Sequence, residues 1–397
     1  MKLTVNIDDL SKAISSMETI LTDSLIAEEQ RNLIFWYNNG KLQVVAHNEF
    51  VNCICGTEPV NIEADDDEMV NIRYKELKGV LDSFKSLKVT EATTISFDFQ
   101  TNCIKVEVVE EPLDKDSEFA DKLYRTSKFT LSKPRNVVQK VKSEIIGVTK
   151  AENAEPMTRD EMQPYFDTLL PTIKDINEGQ GARLNFVGDY IFTSPQGYVT
   201  FMENLTKLRN CYVLGSVAKF MKSFIDLEDV TMVSQYEQNG AVVLTLENSM
   251  AIATIKGFSG ERAFNTKKYE TIPKQGVVLD KKYIIDVLRR FNKGEDIGVC
   301  FNREELVLTQ KSVSLSIPYY NERLDDDFEQ LSLNKQNVGR FSNYILAHKD
   351  FGELLFIYFE KKENRKWQVC FTDNYLVDVE VDGEPVKKHY WYTSVLF

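Results

Sequence analysis

Lysine and arginine side chains gather on segments that are predicted to be helical. Six such segments together carry a formal charge of +9 in a chain whose total is −13, so the remaining residues carry −22. Cations repeated along helices neutralise nucleic-acid phosphates, and such contacts hold a protein in place without reading bases. The alternative is that each cation simply lies on a solvated helix face. The sequence predicts a phosphate-facing, DNA-binding surface formed by Lys75, Lys78, Lys85, Lys88, Arg135, Lys140, Lys142, Lys219, Lys222, Lys282, Arg289, Arg290 and Lys293.

The sequence contains no motif that predicts catalysis. It lacks the phosphate-loop, dinucleotide-binding, His-Glu-x-x-His and Gly-x-Ser-x-Gly patterns. The acidic runs at residues 65–68 and 325–327 lack the alternating ligand spacing of a calcium loop. Six cysteines and three scattered histidines do not have zinc-site spacing, and reduced core thiols are the better interpretation. We predict that the protein is not an enzyme, with no catalytic residue, no metal and no cofactor.

Hydrophobic periodicity divides the chain into short amphipathic helices and alternating strand runs. Each interval contains a strand, a helix and three further strands, and two such half-units make a domain. In the first helix, Asp8 or Asp9 is the expected cap. The recurrence predicts an α+β fold of three repeated domains, at residues 1–125, 126–258 and 259–397. Helix starts recur at a mean spacing of about 67 residues, near Asp8, Tyr74, Lys133, Val217, Lys281 and Ser342.

The widest interval lies between the third and fourth predicted helices. Residues 150–181 within it are rich in acidic side chains and contain Pro156, Pro164 and Pro171. Proline and polar residues punctuate regular structure, so this stretch is predicted to be an acidic insert in the second domain.

Apolar runs in this chain are short. None approaches the roughly 20 residues that a membrane helix needs, and the N-terminus becomes polar too early for a signal peptide. These features predict a cytoplasmic protein with no membrane partner.

Several local sequences resemble the bacterial β-type DNA sliding clamp family. The opening Met1-Lys2-Leu3-Thr4-Val5 is typical of that family, and Lys128-Phe129-Thr130-Leu131 is similar to the start of its second domain. Gly260-Glu261-Arg262-Ala263-Phe264 and residues 269–274 resemble the connector between its second and third domains. Residues 279–288 resemble the opening strand and helix of the third domain. The likeness covers nearly the whole chain in element order.

This resemblance implies a ring, with helices on its inner face and sheets on its outer face. A head-to-tail homodimer would encircle double-stranded DNA and hold a replicative DNA polymerase on it, after loading by a clamp loader. Ring closure would join two sheet edges. The candidate residues are Ile104, Val106 and Val108 for one edge and Val313, Leu315 and Ile317 for the other. It is equally compatible with the sequence that these residues belong to interior strands. The family's pocket for partner peptides corresponds here to Pro195, Gly197, Tyr198, Val199, Thr271, Ile272, Val395, Leu396 and Phe397.

The sequence departs from the family pattern at residues 194–198, in the aromatic tail Tyr390-Trp391-Tyr392 and in the predicted insert. These departures would fit a phage-encoded or otherwise outlying member. Two other functions are also compatible with the sequence. One is a structural ring or tube component of a virion, which would not need basic helices. The other is a non-ring polymerase accessory factor that uses a single basic face.

Overall fold

A computed structural model describes residues 1–22, 31–84, 93–110, 125–135, 142, 154–174, 183–188, 190–193, 198–204, 206, 208–259, 275–291, 295–333, 353–361, 367–373, 376–381, 384–389 and 391–396. Strands predominate and helices are few, which confirms the predicted α+β class. The chain divides into two compact units. One comprises Met1–Gln163 and Ser216–Phe258, and the other comprises Pro164–Gly215 and Ser259–Phe397.

Five helices have bounds among the described residues. The Asn6 side chain, and not Asp8 or Asp9, caps the first helix by accepting a 2.8 Å hydrogen bond from the Asp8 backbone N–H. The Asp280 carboxylate caps the last helix in the same way, through the backbone N–H groups of Lys282 and Tyr283. The helices are α1 (Ile7–Leu21), α2 (Tyr74–Phe84), α3 (Arg159–Lys174), α4 (Gly215–Ile225) and α5 (Lys281–Arg290).

The first unit contains a five-stranded antiparallel sheet, which we call sheet A. Its strand order is β5-β1-β7-β8-β9. Alternate side chains of β1, β7 and β8 point inward, so that Leu3, Val5, Phe97, Val106 and Val108 are almost fully buried. The strands are β1 (Lys2–Asn6), β5 (Pro59–Glu63), β7 (Thr94–Phe99), β8 (Cys103–Glu110) and β9 (Arg125–Ser132).

An eight-stranded sheet in the same unit, sheet B, has the order β10-β15-β16-β17-β4-β3-β2-β6. It joins strands from residues 32–73 with strands from residues 155–256, and therefore runs across the predicted border at residue 125. The three-domain division remains a prediction. The strands are β2 (Asn32–Asn38), β3 (Lys41–His47), β4 (Val51–Thr57), β6 (Glu68–Arg73), β10 (Glu155–Thr158), β15 (Val230–Gln238), β16 (Ala241–Glu247) and β17 (Ala251–Lys256).

The second unit is built on a long sheet, sheet C, in which the C-terminal strand β29 pairs with β13 on one side and with β26 on the other. Its strands within this unit follow the order β14-β11-β12-β13-β29-β26-β25-β19-β23. They are β11 (Arg183–Val187), β12 (Tyr190–Thr193), β13 (Tyr198–Glu203), β14 (Cys211–Leu214), β19 (Gln275–Asp280), β23 (Asn321–Arg323), β25 (Leu354–Lys361), β26 (Trp367–Asp373) and β29 (Trp391–Leu396). Between β17 and β19 along the chain lies the two-residue strand β18 (Phe258–Ser259).

Sheet D, also in the second unit, has the order β22-β21-β20-β24, and sheet E is the pair β27-β28. Leu288 of α5 packs with Val299 and Phe301 of β20 and with Leu306 and Leu308 of β21 in one buried cluster. These strands are β20 (Gly298–Phe301), β21 (Glu305–Gln310), β22 (Val313–Pro318), β24 (Leu331–Leu333), β27 (Leu376–Val381) and β28 (Glu384–His389).

The strand–helix–three-strand order recurs, but its third copy begins later than the sequence predicts. The described residues contain five copies, β1-α1-β2-β3-β4, β6-α2-β7-β8-β9, β10-α3-β11-β12-β13, β14-α4-β15-β16-β17 and β19-α5-β20-β21-β22. The stretch predicted to be an insert at residues 150–181 therefore supplies the opening strand and helix of the third copy. Like β1 with β7, β10 pairs antiparallel with the strand that follows the next helix, β15.

Some predicted elements lie outside the described residues. They include the helix from Ser342 and all of the helix at residues 133–150 except residues 133–135 and Lys142. Of these four residues, only Lys142 is helical.

Candidate nucleic-acid interface

Helix α2 presents the first group of predicted DNA-binding cations. Lys75 is exposed, whereas Lys78 forms an ion pair with Glu18 of α1 and lies 5.6 Å from the centre of the Tyr74 ring. Tyr74 donates a 2.9 Å hydrogen bond to the same carboxylate. Burial, followed by this hydrogen bond, raises the pKa of Tyr74, so the phenol stays protonated at neutral pH. Glu18 therefore holds Lys78 against α1 and offsets the charge of that cation.

The end of helix α5 carries the clearest basic surface in the second unit. Lys282, Arg289 and Arg290 are exposed, and the two arginines occupy the last helical turn. Cations in that position interact favourably with the partial negative charge of a helix C-terminus. On α4, Lys219 and Lys222 are half-buried. The amphipathic pattern of α5 places its apolar side chains inside and these three cations at the surface, whereas Lys281 at the start of the helix is buried.

Arg135 and Lys142 contact residues in and next to β6, and Lys142 is helical. The Arg135 backbone carbonyl accepts a 3.1 Å hydrogen bond from the Asn71 side chain, and the Arg135 side chain is exposed. Lys142 donates to the Asp67 carboxylate, which also accepts a 3.0 Å hydrogen bond from the Trp36 indole. These two hydrogen bonds, the one from Lys142 first, lower the pKa of Asp67. Lys142 is thus ion-paired with Asp67 within the first unit.

Four members of the predicted basic surface, Lys85, Lys88, Lys140 and Lys293, lie outside the described residues. Conversely, the prediction omits Arg73, an exposed cation at the end of β6 that lies 3.4 Å from Glu76. The predicted surface includes only cations of helical segments, so a strand residue immediately before α2 was missed. Its position next to the start of a predicted basic helix is the signal that could have identified it.

The predicted peptide pocket is described only in part. Residues Tyr198 and Val395 are direct partners across the β13–β29 ladder, and Val199 lies opposite Ser394. The fold thus places the backbones of β13 and β29 next to each other in sheet C. Strand β29 includes Leu396. The other proposed lining residues, Pro195, Gly197, Thr271, Ile272 and Phe397, lie outside the described residues. The pocket remains a prediction.

Of the two predicted ring edges, one is corrected by the sheet order. Strand β8, with Ile104, Val106 and Val108, is not an edge because β9 pairs with it along its whole length, from Cys103 opposite Ser132 to Glu110 opposite Arg125. Its three apolar side chains are buried in the interior of sheet A.

The second predicted edge, β22, lies at the end of sheet D, paired with β21 alone among the described strands. Val313 is 51% exposed, Leu315 is half-buried and Ile317 is buried.

The described residues contain no candidate metal site and no activated thiol among the cysteines whose pKa is shifted. No group of three or more His, Cys, Asp or Glu side chains among them could hold a metal ion. Burial raises the pKa of Cys55 to about 11 and that of Cys211 to about 12, so neither thiol is activated for nucleophilic attack. No described helix is both long enough and apolar enough to cross a membrane.

Comparison with solved structures identifies the fold. No model of a known protein family matches this sequence, and no curated protein matches it. The DNA polymerase III subunit beta from Borrelia burgdorferi, solved in complex with a natural product, is similar with a TM-score of 0.70 and 11% identity, over 100% of this chain and 98% of that one.

Two further structures give the same result. The DNA polymerase sliding clamp from Caulobacter crescentus has a TM-score of 0.69 at 11% identity, and the DNA polymerase III beta subunit from Thermotoga maritima has 0.67 at 10% identity. Each match covers 100% of this chain and 99% of the other. The chain therefore has the repeated-domain fold of the bacterial DNA polymerase III beta subunits, the sliding clamps.

Proposed function

We propose that this protein is a DNA sliding clamp that increases the processivity of a replicative DNA polymerase and performs no chemistry itself. The observation that carries the proposal is the likeness to clamp structures over the entire chain, including every repeat. The placement of exposed cations on the helices of the repeats is an independent support.

In this proposal two copies close head-to-tail around the duplex, and the basic helices face inward. Phosphate contacts are screened and carry no sequence information, so they retain the ring on DNA while allowing it to slide. Topological enclosure, rather than affinity, supplies retention. A heterologous contact closes when the rotation between copies completes a ring, so a homodimer is sufficient.

The proposed partners are double-stranded DNA, a replicative DNA polymerase, a clamp loader and a second copy of the chain. Polymerase and loader would dock peptides beside the β13–β29 pair, where backbone positions Tyr198 and Val395 are adjacent. The virion component and the non-ring accessory factor are the rival functions. Basic helices favour the clamp over the first, and the whole-chain fold favours it over the second.

The decisive experiment combines native mass with retention on DNA. We expect a dimer of about twice 45.7 kDa that, once loaded, stays on nicked circular DNA and slides off the same DNA after linearisation. A monomer would favour the accessory factor. A particle of many copies would favour the virion component. Equal retention on circular and linear DNA would contradict enclosure.

The basic helices are tested by a matched pair of triple variants. The test variant combines Lys282→Gln, Arg289→Gln and Arg290→Gln. Its slope of log affinity for DNA against log salt concentration should be shallower by roughly 3, at about 0.9 for each phosphate that is no longer neutralised. The control removes three exposed strand cations, through Lys41→Gln, Lys256→Gln and Arg323→Gln. It has the same net charge, so a similar reduction in both variants would show that general charge, and not the helix surface, governs binding.

A further inference from the structure

Two hairpins of this chain end in the same dipeptide, an asparagine followed by a glycine. Asn39-Gly40 joins β2 to β3, Asn239-Gly240 joins β15 to β16, and the sequence contains no other Asn-Gly pair. Each pair forms a two-residue turn, with its flanking residues opposite each other in the ladder. The two turns occupy the same place in the first and fourth copies of the strand–helix–three-strand order. The chain therefore presents one reactive pair twice, in two different surroundings.

An Asn-Gly pair is chemically labile because glycine has no Cβ to hinder attack by its own backbone nitrogen. That nitrogen loses its proton to solvent base and attacks Cγ of the asparagine side chain. The new N–Cγ bond closes a five-membered imide, and the Cγ–Nδ2 bond breaks, so that the side-chain nitrogen takes up a proton and leaves as ammonia. Water then opens the imide to aspartate or to isoaspartate. The net reaction consumes one water and releases one ammonia.

The hairpin turn itself slows this reaction. The φ angles are +51° at Asn39, +74° at Gly40, +52° at Asn239 and +76° at Gly240. Positive φ at both central residues defines a type I′ turn, in which ψ of the first central residue is about +30°. That ψ directs the glycine nitrogen away from the asparagine side chain, whereas the imide requires both in one ring. The turn must therefore open before the ring can close, and the rate depends on how readily it opens.

The turn at Asn39 is fastened to a neighbouring loop. The Asn39 backbone N–H donates a 2.8 Å hydrogen bond to the Asp66 carboxylate. The next residue of that loop, Asp67, accepts a 3.0 Å hydrogen bond from the indole of Trp36, which is 8% exposed. A hydrogen bond to a charged group is about twice as strong as one between neutral groups. Opening of this turn thus requires the loss of contacts outside the hairpin.

The turn at Asn239 projects into solvent. Glu237, Gln238, Asn239 and Gly240 are all exposed. Within the part of the chain that the structure describes, no side chain of another strand or helix hydrogen-bonds to this turn, and its own ladder holds it. Exposed backbone hydrogen bonds with few buried apolar contacts around them open most readily. This turn therefore reaches the open state more often than the turn at Asn39.

We propose that Asn239 is a site of spontaneous deamidation and that Asp66 protects Asn39 from the same reaction. The inference does not depend on the proposed ring, because all three residues belong to one compact unit. Aspartate at position 239 would add a negative charge to an exposed hairpin. Isoaspartate would add one atom to the backbone, which a two-residue turn does not accommodate, so the end of the β15–β16 ladder would open.

Peptide mass spectrometry after incubation at mildly alkaline pH measures the reaction at both sites in one sample of the full chain. The acid product is heavier than the amide, and an isoaspartate-specific methyltransferase detects the rearranged product. We expect deamidation of Asn239 to exceed that of Asn39 by at least about tenfold, the factor that a hydrogen bond to a charged group supplies. In the same chain denatured in urea, the two sites should react at similar rates because only the fold distinguishes them.

A matched pair of variants tests the role of Asp66. Asp66→Ala removes the acceptor and should accelerate deamidation of Asn39 by at least about tenfold, while Asn239 keeps its rate as the internal control. Asp65→Ala removes an exposed neighbouring acid and should change neither rate. Hydrogen exchange of the wild type provides a test that needs no variant. The Asn39 amide should exchange at least about tenfold more slowly than the Asn239 amide.

Two results would overturn the assignment of Asn239. One is an equal rate at both sites in the folded wild type, and the other is an unreactive Asn239 in the folded chain when the denatured chain reacts. An Asn39 rate that Asp66→Ala leaves unchanged would overturn the protective role of Asp66. Equal exchange of the two amides in the wild type would do the same, even if Asp66→Ala does not fold.

Discussion

The backbone N–H of Ser132 lies 3.0 Å from a carboxylate oxygen of Glu76, and this hydrogen bond fastens the end of β9 to helix α2. The Ser132 hydroxyl donates to the other oxygen of the same carboxylate. One acidic side chain on α2 thus fixes the segment that covers β8.

Replacing Glu76 should release β9 before the rest of the unit unfolds. A hydrogen bond to a charged group contributes about 1.5–3 kcal/mol, so Glu76→Ala should speed hydrogen exchange of the β9 amides by at least about tenfold. Glu76→Gln, which keeps an acceptor oxygen, should have a smaller effect. The exposed Glu49→Gln serves as the control, and unchanged exchange in Glu76→Ala would show that the ladder alone holds β9.

The start of α3 should be sensitive to Thr158. Its hydroxyl and the Glu161 carboxylate form a reciprocal capping box, with the Thr158 backbone N–H 2.8 Å from Glu161 and the Glu161 backbone N–H 3.3 Å from the Thr158 hydroxyl. Thr158→Ala should lower the free energy of unfolding in urea by about 1 kcal/mol. As a control, Thr101→Ala at an exposed position should leave the free energy of unfolding unchanged within error. Equal decreases in the two variants would indicate a general effect of removing threonine.

The ion pair between Asp67 and Lys142 should break in acid. Because hydrogen bonds from Lys142 and Trp36 lower the pKa of Asp67 in the folded state, its stabilisation is present above the unfolded carboxyl pKa of about 4 and disappears as pH falls through the lower folded value. Wild type should therefore exceed Asp67→Asn in stability at pH 7 by a margin that shrinks below about pH 4. Thermal unfolding of both proteins from pH 7 to pH 3 measures this margin in stability. A constant margin would contradict the assigned cause.

Neutralising Glu18 should strengthen DNA binding if the protein is a clamp. Glu18→Gln removes the partner of Lys78 and leaves that cation available for phosphate. We expect tighter binding at low salt and a salt slope steeper by about 0.9, the value for one additional phosphate contact. Glu49→Gln changes the total charge equally and should change the slope little. A Glu18→Gln slope no steeper than that control would place Lys78 away from DNA.

The aromatic side chains beside β22 should contribute to self-association. Tyr283→Ser with Tyr320→Ser removes two exposed rings that line a hollow beside β22, and it should raise the dimer dissociation constant by at least tenfold, or about 1.4 kcal/mol. The matched control, Val60→Ser with Val230→Ser, removes two other exposed apolar side chains, 63% and 46% exposed. Analytical ultracentrifugation measures both. An unchanged dimer in the tyrosine variant would exclude the hollow from the interface.

The sequence was sufficient for the fold class and for most strands, because alternating burial leaves a strong period in segments such as Ala251 to Ile255. It was insufficient at residues 150–181, where prolines and acidic residues suggested an insert. Pro156 lies in β10, an edge strand of sheet B, where a missing N–H costs little. Each of the two prolines within α3 destabilises the helix by about 3 kcal/mol. Burial of the apolar side chains of α3 offsets this loss, because each contributes about 1.5–3 kcal/mol. Those are Met162, Tyr165, Phe166, Leu169 and Leu170.

Candidate site residues were harder to predict than elements. Spacing identifies which cations lie on helices, but it does not reveal partners such as Glu18 for Lys78 or Asp67 for Lys142, which are 60 and 75 residues away in the chain. Edge strands are also invisible to periodicity, because β8 and β22 show the same alternation whether or not another strand covers them. The pairing of β9 with β8 depends on a long-range register that no local pattern encodes.

Because β9 lies beyond residue 124, the first domain cannot be excised at its predicted border. A fragment that stops before residue 125 would present the bare backbone of β8 to solvent, and its soluble expression should suffer through edge-to-edge aggregation. Extending the fragment through Arg135 would keep that ladder paired. The place at which this chain can be cut is therefore set by its strand ladders and not by the spacing of its helices.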